Sequence, residues 1–364
     1  MSYFKRTTVL VLTLLLLSAF LPLVPHSRAW DTAEAAPDRS AADEIVLDGH
    51  KIVNMLDDFL AFWDASRGKS ARRQRQLWTR NVEDKYRDFF ERAVYRNADP
   101  DTRLAMLNRF LSQPPDRIEA IRQFNATASS QVIESIMQFK AQFPDYHQRR
   151  DIYIGLSLLS FDGTVRSVGN DLGVPDTLCL GADVLANYQP MQAKIVIAHE
   201  FFHLYHFGFL FGGMFQLYYR GLIFRQGALA SLSAAHVPLM AEGMAVAASE
   251  AVYPGQPLAM YLHLPEDELA VQKEELAQSS LQFLALIRQG ALPEQYEQWF
   301  ANGSFEGVPR RGGYLLGYEV TRHALATSTL EDMVRMSSAQ LAEQAEEQLS
   351  TMSTEKVLLM ASGN

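Results

Sequence analysis

The sequence predicts an α+β protein in which helical regions flank a small β-sheet. Apolar residues recur near the helical period of 3.6 over residues 44–143. Short apolar runs, partly β-branched and separated by turn-forming residues, follow between residues 151 and 180 and predict about three strands. After Pro190 the pattern is helical again, and a proline suits the first turn because it lacks the N–H that would be unpaired there.

Residues 1–29 predict an export signal. Lys5 and Arg6 precede a nearly continuous apolar run over residues 9–24, and residues 27–29 place small side chains at a cleavage site. An uncleaved membrane anchor is the alternative, but two prolines break the run short of the roughly 20 residues that a spanning helix needs. We therefore expect a periplasmic or secreted protein that contacts a membrane only if the signal stays uncleaved.

The rest of the chain divides into four parts. The predicted parts are a mobile leader over 30–43, a helical region over 44–150, a mixed domain of strands and helices over 151–335, and a C-terminal helix and tail over 336–364. Asp162-Gly163 predicts a hairpin between strands at 152–159 and 164–168. Gly208 is placed to end the helix that follows Pro190.

Composition narrows the class of protein. The hydrophobic fraction of 48% is ordinary for a globular protein, and the net charge of −9 disfavours nucleic acid or an anionic membrane surface as partner. Cys179 is the only cysteine, so an internal disulfide is excluded. Its apolar surroundings predict a buried strand residue rather than a metal ligand or a nucleophile.

A His-Glu-x-x-His pattern lies in the middle of the helix predicted after Pro190. Its members are His199, Glu200 and His203, and a spacing of four residues places both imidazoles on one helix face, where they can chelate one ion. Two imidazoles and a carboxylate suit Zn2+. Glu200 would lie beside the ion as general base. The alternative, a solvated polar face, is disfavoured because the flanking residues are almost all apolar.

The third ligand predicted is Glu242. It lies in a segment of small and apolar residues, where a lone acid is costly to bury unless it is paired or bound to metal. A capping or ion-paired glutamate is the alternative role, and Glu250 is the weaker candidate ligand. His206 shares a face with His199 but lies some 10 Å along the helix axis, which predicts a supporting or packing role.

These motifs resemble those of a known group. His199-Glu200-x-x-His203 followed by Glu242-Gly243-x-Ala245 resembles the gluzincin zinc peptidases, and in particular an uncharacterised bacterial family of predicted zinc-dependent proteases. The resemblance covers about residues 150–325. It implies that residues 151–335 form a zincin-like catalytic domain, with a small sheet, an active-site helix and a helical lower half that carries the glutamate ligand.

The resemblance also implies features around the metal. Residues 177–182 would be an edge strand above the cleft, able to pair with an extended peptide. Many gluzincins place an aspartate four residues after the ligand glutamate, but this chain has Val246 there. The group that orients a ligand histidine must then come from elsewhere, with Asp183 or a backbone carbonyl as candidates.

A hydrogen-bond donor to the developing oxyanion is expected near the metal. The family resemblance favours a Gly-Tyr-x-x-Gly element, which Gly313-Tyr314-x-x-Gly317 provides. Tyr314 is the first candidate, with Tyr318 and His323 behind it, and a packing role is the alternative for either tyrosine.

The sequence therefore predicts a zinc-dependent endo- or oligopeptidase acting on peptides or proteins outside the cytoplasm. The predicted ligands are His199, His203 and Glu242, with Glu200 and Tyr314 as catalytic residues. Two alternatives stay open. One is an exported binding or chaperone-like protein with a structural metal, and the other is a hydrolase of non-peptide amides.

Overall fold

The computed structural model describes residues 44–47, 49–147, 151–169, 175–219, 234–303 and 305–362. The predicted signal and leader lie outside these residues. The described chain is mostly helical with one small mixed sheet, which confirms the α+β prediction. None of its described helices is both long and apolar enough to cross a bilayer.

The described strands and helices have the following bounds. The strands are β1 (Glu44–Leu47), β2 (His50–Asn54), β3 (Ile152–Gly155), β4 (Gly163–Arg166) and β5 (Thr177–Gly181). The helices are α1 (Leu56–Ser66), α2 (Ala71–Trp78), α3 (Arg87–Phe89), α4 (Pro100–Leu111), α5 (Pro115–Gln142), α6 (Ala182–Leu185), α7 (Pro190–Tyr219), α8 (His236–Val252), α9 (Leu258–Leu262), α10 (Glu266–Glu274), α11 (Leu276–Arg288), α12 (Pro293–Tyr296), α13 (Gly312–Ala324), α14 (Leu330–Met333) and α15 (Ser338–Ser362). π-Helical turns lie at Thr79–Glu83 and Phe90–Tyr95, and a 3-10 turn lies at Glu297–Phe300.

The chain forms two compact units. The sheet unit contains the described residues up to 130 and those from 151 to 187, and the helix unit contains residues 131–147 and the described residues from 188 onward. The sheet has the order β1-β2-β3-β5-β4. The outer pairs β1/β2 and β4/β5 are antiparallel, and the inner pairs β2/β3 and β3/β5 are parallel.

The prediction of a helix from residue 44 is wrong at its start, where β1 and β2 form a hairpin. Two signals for a strand were present there, namely β-branched residues such as Ile52 and Val53 and the Asp48-Gly49 dipeptide. Gly49 has a φ of 87°, which glycine adopts without strain. Pairing with β3 buries Ile52 and Val53. Packing in the sheet therefore decides for a strand here, although the spacing of apolar residues predicted a helix.

The predicted hairpin between β3 and β4 is also wrong, because β5 lies between them. The chain after β3 forms a longer loop around the buried carboxylate of Asp183. That carboxylate accepts hydrogen bonds from the backbone N–H groups of Ser157, at 2.7 Å, and Leu159, at 2.6 Å. Because β5 lies between β3 and β4, it is an inner strand of the sheet. The expectation of an edge strand at 177–182 is therefore wrong as well. Cys179 is buried in β5, as predicted.

Helix α7 begins at Pro190 as predicted but does not end at Gly208. It continues to Tyr219. Side chains on both sides of Gly208 hold the helix together: the rings of Tyr205 and Phe209 lie 5.3 Å apart, and the guanidinium of Arg335 lies 4.9 Å from the Phe209 ring. These contacts offset the cost of a glycine inside a helix, which is about 1 kcal/mol relative to alanine.

Candidate metal centre

The two histidines of the motif lie on one face of α7. Because they are one helical turn apart, their Nε2 atoms approach to 3.1 Å and their ring centroids to 4.8 Å. His203 is buried, and the side chain of His199 is 13% exposed. Apolar side chains on the other faces of α7, such as Ile197 and Phe201, are fully buried and fix the helix in place.

Glu242 of α8 completes a triangle with the two histidines. Its Oε2 atom lies 3.0 Å from Nε2 of His199 and 3.3 Å from Nε2 of His203. The residue predicted as third ligand is thus brought to the predicted histidine pair, although 43 residues separate Glu242 from His199. We call these three side chains the ligand triangle.

The dimensions of the ligand triangle suit a small cation. Nitrogen and oxygen ligands of a tetrahedral zinc ion lie about 2.0–2.2 Å from the metal and hence roughly 3.4 Å from one another. The three separations here are only a few tenths of an ångström shorter. Hydrogen bonds cannot satisfy all three edges at once, since each Nε2 carries at most one hydrogen and an ionised carboxylate carries none.

Electrostatics favour positive charge inside the ligand triangle. Burial raises the pKa of Glu242, but the two histidines outweigh burial and hold it well below its ordinary value. Burial lowers the pKa of His199, whereas the charges of Glu242 and Glu200 outweigh burial at His203 and raise its pKa. Glu242 is therefore a carboxylate at neutral pH, and its negative charge favours a cation between the two histidines.

Glu200 is the second carboxylate near the histidines. One of its oxygens and one ring nitrogen of each histidine lie within 4.8 Å of one another, so it too is close enough to be considered as a ligand. The shorter distances of Glu242, at 3.0 and 3.3 Å, favour Glu242 for that role. Glu200 then lies beside the ligand triangle, where a general base is needed.

Tyr314 of α13 lies beside the ligand triangle. Its ring centroid is 6.2 Å from that of His199, and the side chain is 9% exposed. The two other candidate donors have other contacts: Tyr318 donates a hydrogen bond of 2.7 Å to Glu250, and His323 lies against Arg322. The second candidate donor, Tyr318, and the second candidate ligand, Glu250, are thus bonded to each other.

Among the described residues, His206 has the packing role that was one of its two predicted roles, and Asp183 bonds to a loop rather than to a ligand histidine. Both ring nitrogens of His206 and Nδ1 of His203 are buried and lack a hydrogen-bond partner among the described residues. His206 packs against the rings of Phe202 and Phe207, at 6.2 and 6.1 Å. The carboxylate of Asp183 is occupied by loop hydrogen bonds within the sheet unit.

Arg311 is a site residue that the sequence reasoning missed. Its guanidinium carbon lies 3.8 Å from the centroid of the Tyr314 ring, and its charge contributes to the lowered pKa of His199, after burial and the charge of His203. The only sequence signal was a pair of arginines directly before Gly312-Gly313.

Comparisons of the chain with protein-family models, with curated proteins and with solved structures found no match. The described residues fit a divalent cation in donor type, in spacing and in charge.

Proposed function

We propose that the protein is an exported zinc-dependent peptidase of the gluzincin type, with a zincin-like catalytic domain. One observation carries the proposal: three buried or nearly buried donors of the kind that zinc prefers converge at 3.0, 3.1 and 3.3 Å. The resemblance of His199-Glu200-x-x-His203 and Glu242-Gly243-x-Ala245 to gluzincin motifs supports peptides as the substrate class.

Each site residue has a distinct role in this proposal. His199, His203 and Glu242 would hold Zn2+, which supplies Lewis acidity and lowers the pKa of a water molecule. Glu200 takes a proton from the attacking water and passes it to the leaving amine nitrogen. Tyr314 donates a hydrogen bond to the oxygen of the scissile carbonyl as negative charge develops there.

Metal content tests the ligand assignment. We expect about one zinc per chain in the purified protein, and loss of that zinc in the His203→Ala and Glu242→Gln variants. Glu250→Gln is the matched control, because Glu250 lies on the same helix as Glu242 but accepts its hydrogen bond from Tyr318. Zinc retained in Glu242→Gln at the level of Glu250→Gln would show that Glu242 is not a ligand.

Activity tests the role of Glu200. The Glu200→Gln variant keeps the size of the side chain but cannot accept the proton, so we expect full zinc content and a loss of peptide hydrolysis of about 100-fold or more. Hydrolysis at the unmutated rate in this variant would overturn the mechanism. Full zinc content with no hydrolysis of peptides by the unmutated protein would instead favour a structural metal.

A further inference from the structure

Arg311 lies directly before α13, next to the ligand triangle. Its guanidinium carbon is 3.8 Å from the centroid of the Tyr314 ring, and that ring is 6.2 Å from the ring of His199. These separations place the charge within roughly 10 Å of the triangle, over which a half-buried charge is only weakly screened by salt.

The positive charge of Arg311 is held in place by neutral groups. Its Nε donates a hydrogen bond of 3.0 Å to the carbonyl of Leu262, and its Nη1 donates one of 3.0 Å to the side-chain oxygen of Asn302. No carboxylate in the described parts of the chain forms an ion pair with Arg311. Its neighbour Arg310 differs, since the guanidinium of Arg310 is paired with Glu268 at 2.8 Å.

Holding the Arg311 cation here without a carboxylate partner costs folding free energy. Arg311 adopts a φ of 53°, in the left-handed region that a non-glycine residue enters at a cost of about 1 kcal/mol. The charge is half-buried and stands near the proposed metal centre. An anionic group on a bound ligand would compensate the charge, and the free edge of a guanidinium is suited to a carboxylate.

We propose that Arg311 binds a carboxylate of the peptide substrate, next to the scissile bond. This inference rests on the proposed peptidase function and adds its specificity. The carboxylate can come from two sources, the free C-terminus of the peptide or an aspartate or glutamate side chain. The first source makes the protein a carboxypeptidase or carboxydipeptidase, and the second an endopeptidase with a preference for acidic residues.

Binding of matched peptides tests the inference. The probes are a fluorescently labelled apolar tetrapeptide with a free C-terminus, its C-terminal amide, and two amidated versions that carry a single Glu or Gln. Affinities are measured on the Glu200→Gln protein, to prevent hydrolysis, both zinc-loaded and after chelation. We expect the free C-terminus or the Glu peptide to bind about 10-fold or more tightly than its uncharged partner, as for a charged hydrogen bond.

Variants then assign this preference to Arg311. Added to the Glu200→Gln protein, Arg311→Gln should abolish the preference for a carboxylate and leave the affinity of the amide unchanged, whereas Arg311→Lys should keep part of it. Arg310→Gln is the matched control and should change nothing, because the charge of Arg310 already pairs with Glu268.

The outcomes separate this inference from the peptidase proposal. Equal affinity for charged and uncharged probes overturns the role of Arg311, and that comparison needs no variant at Arg311. A preference that persists in Arg311→Gln overturns it too. A protein without zinc or hydrolysis contradicts the peptidase proposal instead, while the chelated protein still reports whether Arg311 selects a carboxylate.

Discussion

A Cβ atom on Gly243 would lie 2.1 Å from the carbonyl of Gly317, and one on Gly317 would lie 2.2 Å from the carbonyl oxygen of Leu239. Helices α8 and α13 therefore meet with their backbones in contact, which only glycine permits. Glu242 precedes Gly243, and Tyr314 lies one turn before Gly317. The glycine contact thus brings the third member of the ligand triangle and the candidate oxyanion donor to the same place.

Gly317→Ala should destabilise the protein strongly. The added methyl group meets backbone atoms of α8 that cannot rotate away, so the helices must separate. We expect the free energy of unfolding to fall by about 2 kcal/mol or more, measured by urea denaturation. Gly169→Ala is the control, because a Cβ there meets nothing within 4 Å. Equal unfolding midpoints for the two variants would contradict a close helix contact.

Zinc should stabilise the folded protein, because its ligands come from two helices and are brought together only on folding. Free zinc at a hundred times its dissociation constant should add about 2.7 kcal/mol, seen as a rise in the melting temperature that a chelator reverses. The His203→Ala variant should show no such rise. If it responds to zinc as the unmutated protein does, the stabilising ion binds elsewhere.

Glu297→Gln should stabilise the protein above neutral pH. Burial, with a smaller contribution from Glu294, raises the pKa of Glu297 from 4.5 to about 6. The folded state therefore holds this proton more tightly than the unfolded state, and stability falls as the pH rises from 4.5 to 6. At about pH 8 the variant should be roughly 1 kcal/mol more stable, and near pH 4 the difference should vanish. A constant difference at both pH values would exclude ionisation of Glu297 as the cause.

His206→Phe should leave the zinc content unchanged and keep or raise the stability. The imidazole is buried, and neither of its nitrogens has a hydrogen-bond partner in the part of the chain that the structure describes. Burial, with a smaller contribution from His203, lowers its pKa to about 3. Replacing an unsatisfied polar group by an apolar ring of similar shape is neutral or stabilising by about 1 kcal/mol. His236→Phe is the control, since it breaks a hydrogen bond of 2.9 Å to Ser338 and should destabilise. Loss of zinc from His206→Phe would instead assign His206 a supporting role.

Two kinds of site feature were predictable from the sequence. One depends on residues close together in the chain, and the other on a polar group that is costly to bury alone. The spacing of His199 and His203 is a property of one helical turn. Glu242 was predictable because an acid among small apolar residues needs a partner. The sheet order was not predictable. Residues 156–162 hold no sign that Asp183, 26 residues after Ser157, binds this loop, or that β5 lies between β3 and β4.

The role of Arg311 was not predictable from the sequence, for a different reason. Two consecutive arginines look equivalent in the sequence, yet the fold gives Arg310 a carboxylate and leaves Arg311 beside the ligand triangle. Which charge is neutralised depends on contacts between distant helices, and no local pattern encodes it. The same applies to Gly208, which lies within a continuous helix and whose neighbour Phe209 is contacted by Arg335, 127 positions after Gly208.

The buried Val246 has a consequence for how readily the site would exchange its metal ion. In the gluzincin-type site proposed above, it occupies the position of an acceptor for a histidine N–H, and Nδ1 of His203 lacks a partner among the described residues. Such acceptors lock a ligand ring, and their loss weakens metal binding by about 10- to 100-fold. In the proposed peptidase, a zinc ion held this way would exchange with its surroundings more readily than one with a locked ligand ring, so activity would follow the local supply of metal.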